Sequence, residues 1–278
     1  MSKFFVITQI KLPVQKINLT FAISLASLGF TPVQAVPIKS VLLVQHPTLN
    51  SSRQLNERLI FNAPDPPDDI NAPGNRTAGG KRGCENMKKQ LSASKEKLLT
   101  ALVPVYRPKG SGLVLGLTTA PDPTFWFYVP YLPTLAAEFV LQDAAGQTVY
   151  QTPVTLSGPP GVVSLSLPST ASPLEIGKRY HWYFNIYCQP QQPPVFVDGW
   201  IKRDSLNPAL KSQLHKATPT QRVALFAAKG IWYDALTASA ELRRTDPKHT
   251  DWAALLQTVG LDNIASEPMV KCCQLASR

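Results

Sequence analysis

The chain lacks the pieces from which the common active sites are built. It has no Gly-x-Ser-x-Gly elbow. Gly74 to Lys81 begins like a phosphate-binding loop, but Gly80 stands where the lysine belongs and no Ser or Thr follows Lys81. Gly110-Ser111-Gly112 is followed by Gly116, one residue too far for a dinucleotide loop. Histidine is scarce: His46, His181, His215 and His249 are isolated, and none shares metal-ligand spacing with another. Cys-x-x-Cys and His-x-x-x-His are missing as well, which argues against zinc. These absences nominate no catalytic, cofactor-binding or metal-binding residue, and the expectation is that the protein is not an enzyme. A hydrolase whose nucleophile is assembled across the fold ranks third among the possible roles.

Acidic residues are missing from the first 35 positions, which carry Lys3, Lys11 and Lys16. Ile17 to Phe30 is mostly apolar, Pro32 breaks the run, and Val33-Gln34-Ala35 offers small residues for a peptidase. This order predicts a cleavable signal peptide over residues 1–35. The apolar stretch of about 14 residues is short for an anchor, since a spanning helix needs roughly 20. Later stretches of that length are all interrupted by charge or proline, so no membrane span is expected after cleavage. The expected location is the periplasm, the outer envelope or the exterior, which removes nucleic acid as a partner.

Cleavage lowers the basic count from 28 to 25 against 18 acidic residues, a formal charge of +7. The charges are spread over many segments, the pattern of a solvated surface. Attraction to anionic lipids or acidic glycans is the sharper alternative. Four cysteines, Cys84, Cys188, Cys272 and Cys273, lie in the exported part, where disulfides persist. Four allow three pairings. A direct Cys272–Cys273 bond closes a strained ring, leaving bridges to Cys84 or Cys188, or one bond and two free thiols.

Residues 36–97 are rich in Pro, Asn, Asp and Gly and read as a linker, mostly disordered. From 98 to 205 the pattern is β, with about seven short strands separated by Pro and Gly. The expected strands include Leu113 to Leu117, the aromatic run Phe125 to Tyr131, Val162 to Leu167 and Val195 to Lys202. Ala144-Ala145-Gly146 marks a hairpin between Ala137 to Asp143 and Gln147 to Gln151. Arg179 to Cys188 alternates, so Tyr180, Trp182, Phe184, Ile186 and Cys188 should point inward. Leu174 to Tyr180 resembles the tyrosine corner of immunoglobulin-like sandwiches, with Gly177 in the turn and the Tyr180 hydroxyl bonded to upstream backbone.

From 206 to 278 the period is helical. Phe226, Gly230, Trp232, Ala235 and Pro247 fall at the spacing of one tetratricopeptide unit, which cannot bury its own face alone. The expected architecture is therefore mostly β with α, an immunoglobulin-like β-sandwich followed by a tetratricopeptide-like helical hairpin packed on it.

Five stretches together resemble one family. They are TTAPDPTFWFYVPY (118–131), FVLQDAAGQTVYQ (139–151), PLEIGKRYHWY (173–183), FVDGWIK (196–202) and GIWYDALTASAELR (230–243). The chain is similar, over roughly Cys84 to Cys273, to the cyanobacterial secreted family catalogued as domain of unknown function 928. The resemblance implies an envelope or extracellular location and no cofactor, and it assigns no catalytic residue.

Two roles follow. The first is a non-catalytic exported module that binds a protein partner in the cell envelope. The second is a glycan-binding module using an aromatic face drawn from Trp126, Tyr128, His181, Tyr183, Trp200, Trp232 and Tyr233. That face is expected to be covered: one side by the facing sheet and the other by the hairpin through Trp232 and Tyr233. The first testable outcome concerns export: N-terminal sequencing of protein from outside the cytoplasm should read from near Val36, and an intact Met1 on cytosolic protein would contradict it.

Overall fold

The structure is a computed structural model that describes residues 59–67, 69–70, 73–79, 97–107, 112–131, 135–189, 191–272 and 274–275. The expected signal peptide, Cys84 and Cys273 lie outside these. The chain divides into two compact units, Met1–Arg53 and Gln54–Arg278, and every described residue belongs to the second.

That unit is mostly β. Its strands are β1 (Thr100–Ala101), β2 (Val105–Tyr106), β3 (Leu113–Thr118), β4 (Thr124–Val129), β5 (Ala136–Asp143), β6 (Thr148–Thr155), β7 (Gly161–Ser166), β8 (Arg179–Tyr187), β9 (Val195–Arg203) and β10 (Gln274–Leu275). Between β9 and β10 come α1 (Pro208–Lys216), α2 (Pro219–Ala228), α3 (Trp232–Thr245), α4 (Asp251–Thr258) and α5 (Asp262–Ala265). The strands form two open sheets, one ordered β1-β4-β7 and one ordered β10-β6-β5-β8-β9-β3-β2. Neighbours run antiparallel except β3 and β9, which pair in parallel, with Leu115 opposite Trp200.

Period-two alternation places the core. Along β8, Tyr180, Trp182, Phe184 and Ile186 are buried while Tyr183, Asn185 and Tyr187 on the other side are half-buried. Phe125 and Phe127 of β4 face them: Phe127 stacks on Phe184 at 4.4 Å and meets Trp182 edge-on at 5.7 Å. A strand covered on one side only would alternate, but Phe125 to Val129 is buried throughout. The reason is that Trp126 and Tyr128 point away from the large sheet and are covered there too. Trp126 donates through Nε1 to Thr237 Oγ1 on α3 (3.1 Å) and lies edge-on to Trp252 on α4.

The turn before β8 forms as its sequence predicts. Gly177 has φ +83°, a region that favours glycine. The buried Tyr180 hydroxyl accepts from the Glu175 N–H at 3.0 Å, a bond of about 1 kcal/mol. The helices start where their caps stand. Asn207 accepts from the Leu210 N–H, and Thr218 with Gln221 makes a capping box ahead of Pro219. Gly230, at φ +70°, turns the chain from α2 into α3.

Trp232 and Tyr233 then enter the main core. Trp232 Nε1 donates to the Leu102 carbonyl at 2.8 Å, and Tyr233 lies edge-on to Phe125 at 5.4 Å. Gly116 of β3 leaves the room: a Cβ there would stand 2.6 Å from Tyr233 Cε2. Each such aromatic burial stabilises by about 2–3 kcal/mol.

Two expectations differ from what is observed. Tyr183 and Trp200, expected under the helices, lie on the outer face of the large sheet, because the helices pack on β3 and β4 instead. The stretch read as a mostly disordered linker is, where described, a strap laid along the fold. Asn62 donates its N–H and Nδ2 to the Ala227 and Ala228 carbonyls at the end of α2. Asp69 pairs with Arg179, Asn75 bridges to Asp198 on β9, and Thr77 bridges to Thr100 on β1. Composition alone argued for disorder because the segment has no core to bury. It is held instead by backbone groups left unpaired at strand and helix ends, and by Phe61 and Ala78, which join the core of the rest of the fold.

Because Trp232 and Tyr233 share one core with Phe125 and Trp182, strands and helices should unfold in a single denaturant transition. Gly116→Ala should lower stability by about 2 kcal/mol through overpacking, measured as the shift in transition midpoint. Separate sheet and helix transitions would refute the shared core.

Candidate binding cleft and outer-face cluster

Two polar sites stand out from the apolar frame. The first lies where β3 ends and α3 begins. Asp234, in the first turn of α3, receives four contacts. Thr118 Oγ1 donates to Oδ2 (2.7 Å) and Thr119 Oγ1 to Oδ1 (2.6 Å). The Thr119 N–H is shared between the two oxygens at 3.1 and 3.3 Å. Thr118 Oγ1 in turn accepts from the Ala120 N–H at 3.1 Å. Burial pushes the Asp234 carboxyl above its ordinary value, and the threonine donors pull it back part of the way. The carboxylate thus clamps the end of β3 to the helix, with its acceptor capacity close to used up.

Beside this clamp a cleft of about 270 Å³ opens between the 118–124 turn, α2 and α3. Asp122, Arg222 and Glu241 bring charge to it, while Pro123, Phe226 and Ala238 are among its apolar lining. Nearly all of the lining comes from the two stretches 118–131 and 230–243, with Arg222 and Phe226 added by α2.

The second site is on the outer face of the large sheet. Asp198 on β9 and His181 on β8 are both buried, with Oδ2 and Nε2 2.8 Å apart. His181 Nδ1 lies 2.9 Å from the Tyr183 hydroxyl. Asp198 Oδ1 accepts from the Asn75 N–H (2.9 Å) and Nδ2 (2.7 Å). The His181 ring stacks on Trp200 at 4.4 Å and 10°, and lies 4.3 Å from Tyr183. Burial, and then the Asp198 charge, push the Tyr183 phenol above its ordinary value.

The seven aromatic-face residues therefore divide. Trp126, Tyr128, Trp232 and Tyr233 are buried and offer no platform. Burial, reinforced by Glu267, pushes the Tyr128 phenol up to about 12. His181, Tyr183 and Trp200 come together on the open sheet face. Of the structural residues, Gly177, Tyr180 and Gly230 sit in the turns described, Ala235 is buried on α3, and Pro247 follows the end of that helix. Neither Cys188 nor Cys272 is a free thiol.

Sequence reasoning missed Asp234, Asp198 and Asn75. Asp198 carried a signal, as a lone acid in the otherwise strand-like FVDGWIK. Asp234 carried none, because its partners lie 115 and 116 residues away.

Fold and sites together define a two-sheet β protein with a helical segment clamped into its core. The chain belongs to the family described as Domain of Unknown Function (DUF928), which it matches over residues 77–269. No curated protein and no solved structure matches it. Among the described residues no helix is long and apolar enough to cross a membrane.

Removing the clamp should be costly. Asp234→Ala leaves two hydroxyls and an N–H short of an acceptor, and stability should fall by about 2–3 kcal/mol in denaturant unfolding. A loss below about 0.5 kcal/mol would mean that the bonds are replaced by water.

Proposed function

We propose that the protein is an exported interaction module of the cell envelope, whose cleft beside Asp234 anchors a basic side chain of a partner protein. The cleft carries this reading. Its volume lies below the range of pockets that enclose whole small molecules and suits one long side chain. Asp122 and Glu241 outnumber Arg222 in the lining, and Pro123, Phe226 and Ala238 suit the alkyl stem of a lysine or arginine. In this reading the two sheets are an immunoglobulin-like scaffold, supported by the Tyr180 corner, and α2–α3 is a single tetratricopeptide-like hairpin. Export also suits the cysteines, which we read as disulfide-bonded and which mass mapping without reductant should pair.

A glycan-binding role is the second reading. It is favoured by Tyr183, Tyr187, Phe196 and Trp200, all half-buried on the outer sheet face. Against it, the flat face of Trp200 toward β8 is occupied by His181.

Capture from envelope extract on immobilised mature protein, with both protein and glycan fractions identified, tests the choice. A protein partner should be retained, and Ala238→Trp, which fills the cleft, should weaken its Kd at least tenfold, about 1.4 kcal/mol. Unchanged affinity would overturn the cleft reading, and retention of glycan alone would favour the second.

A further inference from the structure

The outer-face cluster is ordered as a nucleophile, a base and an orienting acid. An ionised carboxylate only accepts, so Asp198 fixes the hydrogen of His181 on Nε2 and leaves Nδ1 to accept from the Tyr183 hydroxyl. Asn75 holds the Asp198 carboxylate by two bonds and pairs with its backbone, and Trp200 and Tyr183 flank the imidazole ring. The acid and the base are buried at 5% and 8% exposure, whereas Tyr183 is only half-buried and Asn75 is exposed, so both ends of the chain of bonds lie nearer the surface than its middle.

We propose that Tyr183 is a nucleophile served by His181 as base, with Asp198 and Asn75 as positioning residues, and that the site cleaves carboxylic esters. The arrangement satisfies the geometric signature of an activated hydroxyl, with base and orienter each within hydrogen-bond reach of the next. The raised phenol keeps its proton at rest. The proton passes to His181 Nδ1 only as the phenolic oxygen bonds to the acyl carbon, as in a serine hydroxyl. The ester C–O bond breaks, and the departing oxygen takes that proton and leaves as an alcohol. Water then attacks the acyl-tyrosine, giving one proton to His181. The phenolate departs and recovers that proton, and the acid is released. A phenolate leaves more readily than an alkoxide, which favours this second step. The cleft beside Asp234 uses none of these residues, so the two readings stand or fall separately.

The test is p-nitrophenyl acetate with the full mature protein, following nitrophenol release and tyrosine acetylation by mass spectrometry across pH. Tyr183 should be acetylated about a hundredfold faster than Tyr187 on the same face. Release should continue beyond one equivalent. His181→Gln should bring the rate down to that of Tyr187 and abolish the imidazole limb of the pH profile. Equal labelling of the two tyrosines, or an unchanged profile in His181→Gln, would overturn the proposal. If that variant does not fold, Tyr183→Phe decides: nitrophenol release equal to wild type overturns it, and loss of release supports it.

Discussion

The structure depends on one dipeptide, Trp232-Tyr233, driven between the two sheets at the start of α3. Tyr233 reaches Phe125 and rests against the bare backbone of Gly116. Trp232 hands its N–H to the Leu102 carbonyl and takes Phe61 of the strap edge-on at 4.9 Å. Sheet, helix and strap therefore meet on two side chains. Without them the helical segment would have to bury its apolar face alone, which a segment of that size does poorly. The Asp234 clamp lies one residue further along and fixes the depth of the insertion by polar bonds, where apolar packing alone is indifferent to small slides.

Much of this frame was legible in the sequence. Alternation along 179–188 gave the core face of β8, the Ala144-Ala145-Gly146 turn gave a hairpin, and the period from 206 onward gave the helical segment. These signals are local, repeating every two or three to four residues, so a single chain displays them. The side on which an aromatic lands is a different kind of fact. Trp126 and Trp200 have similar surroundings in sequence, yet one is sealed by α3 and α4 and the other stands on the open sheet. Only the choice of strands that receive the helices separates them. Asn75 and Asp234 were hidden for the same reason, since a polar contact between distant residues leaves no periodic trace.

The two polar sites share chemistry and differ in saturation. The donors of Thr118 and Thr119 aimed at Asp234 all find their acceptor there, and the result is rigidity. In the outer-face cluster the chain of bonds runs from the exposed Asn75 to the Tyr183 oxygen, which donates to His181 and keeps its lone pairs. Buried polar networks of the first kind specify a structure, and those of the second kind also present an address on it.

The strap has a consequence for how the chain comes into being. It lies ahead of everything it holds: Asn62 waits for the end of α2, 165 residues later, and Asn75 waits for Asp198, 123 residues later. A ribosome delivers the strap before its distant anchoring sites on β9 and α2. The part of the segment that meets α2 and β9 must therefore remain unengaged through much of synthesis. Its closure on α2 and β9 is among the long-range steps of folding. A polar, proline-rich sequence meets that demand, because it has little to aggregate with while it waits.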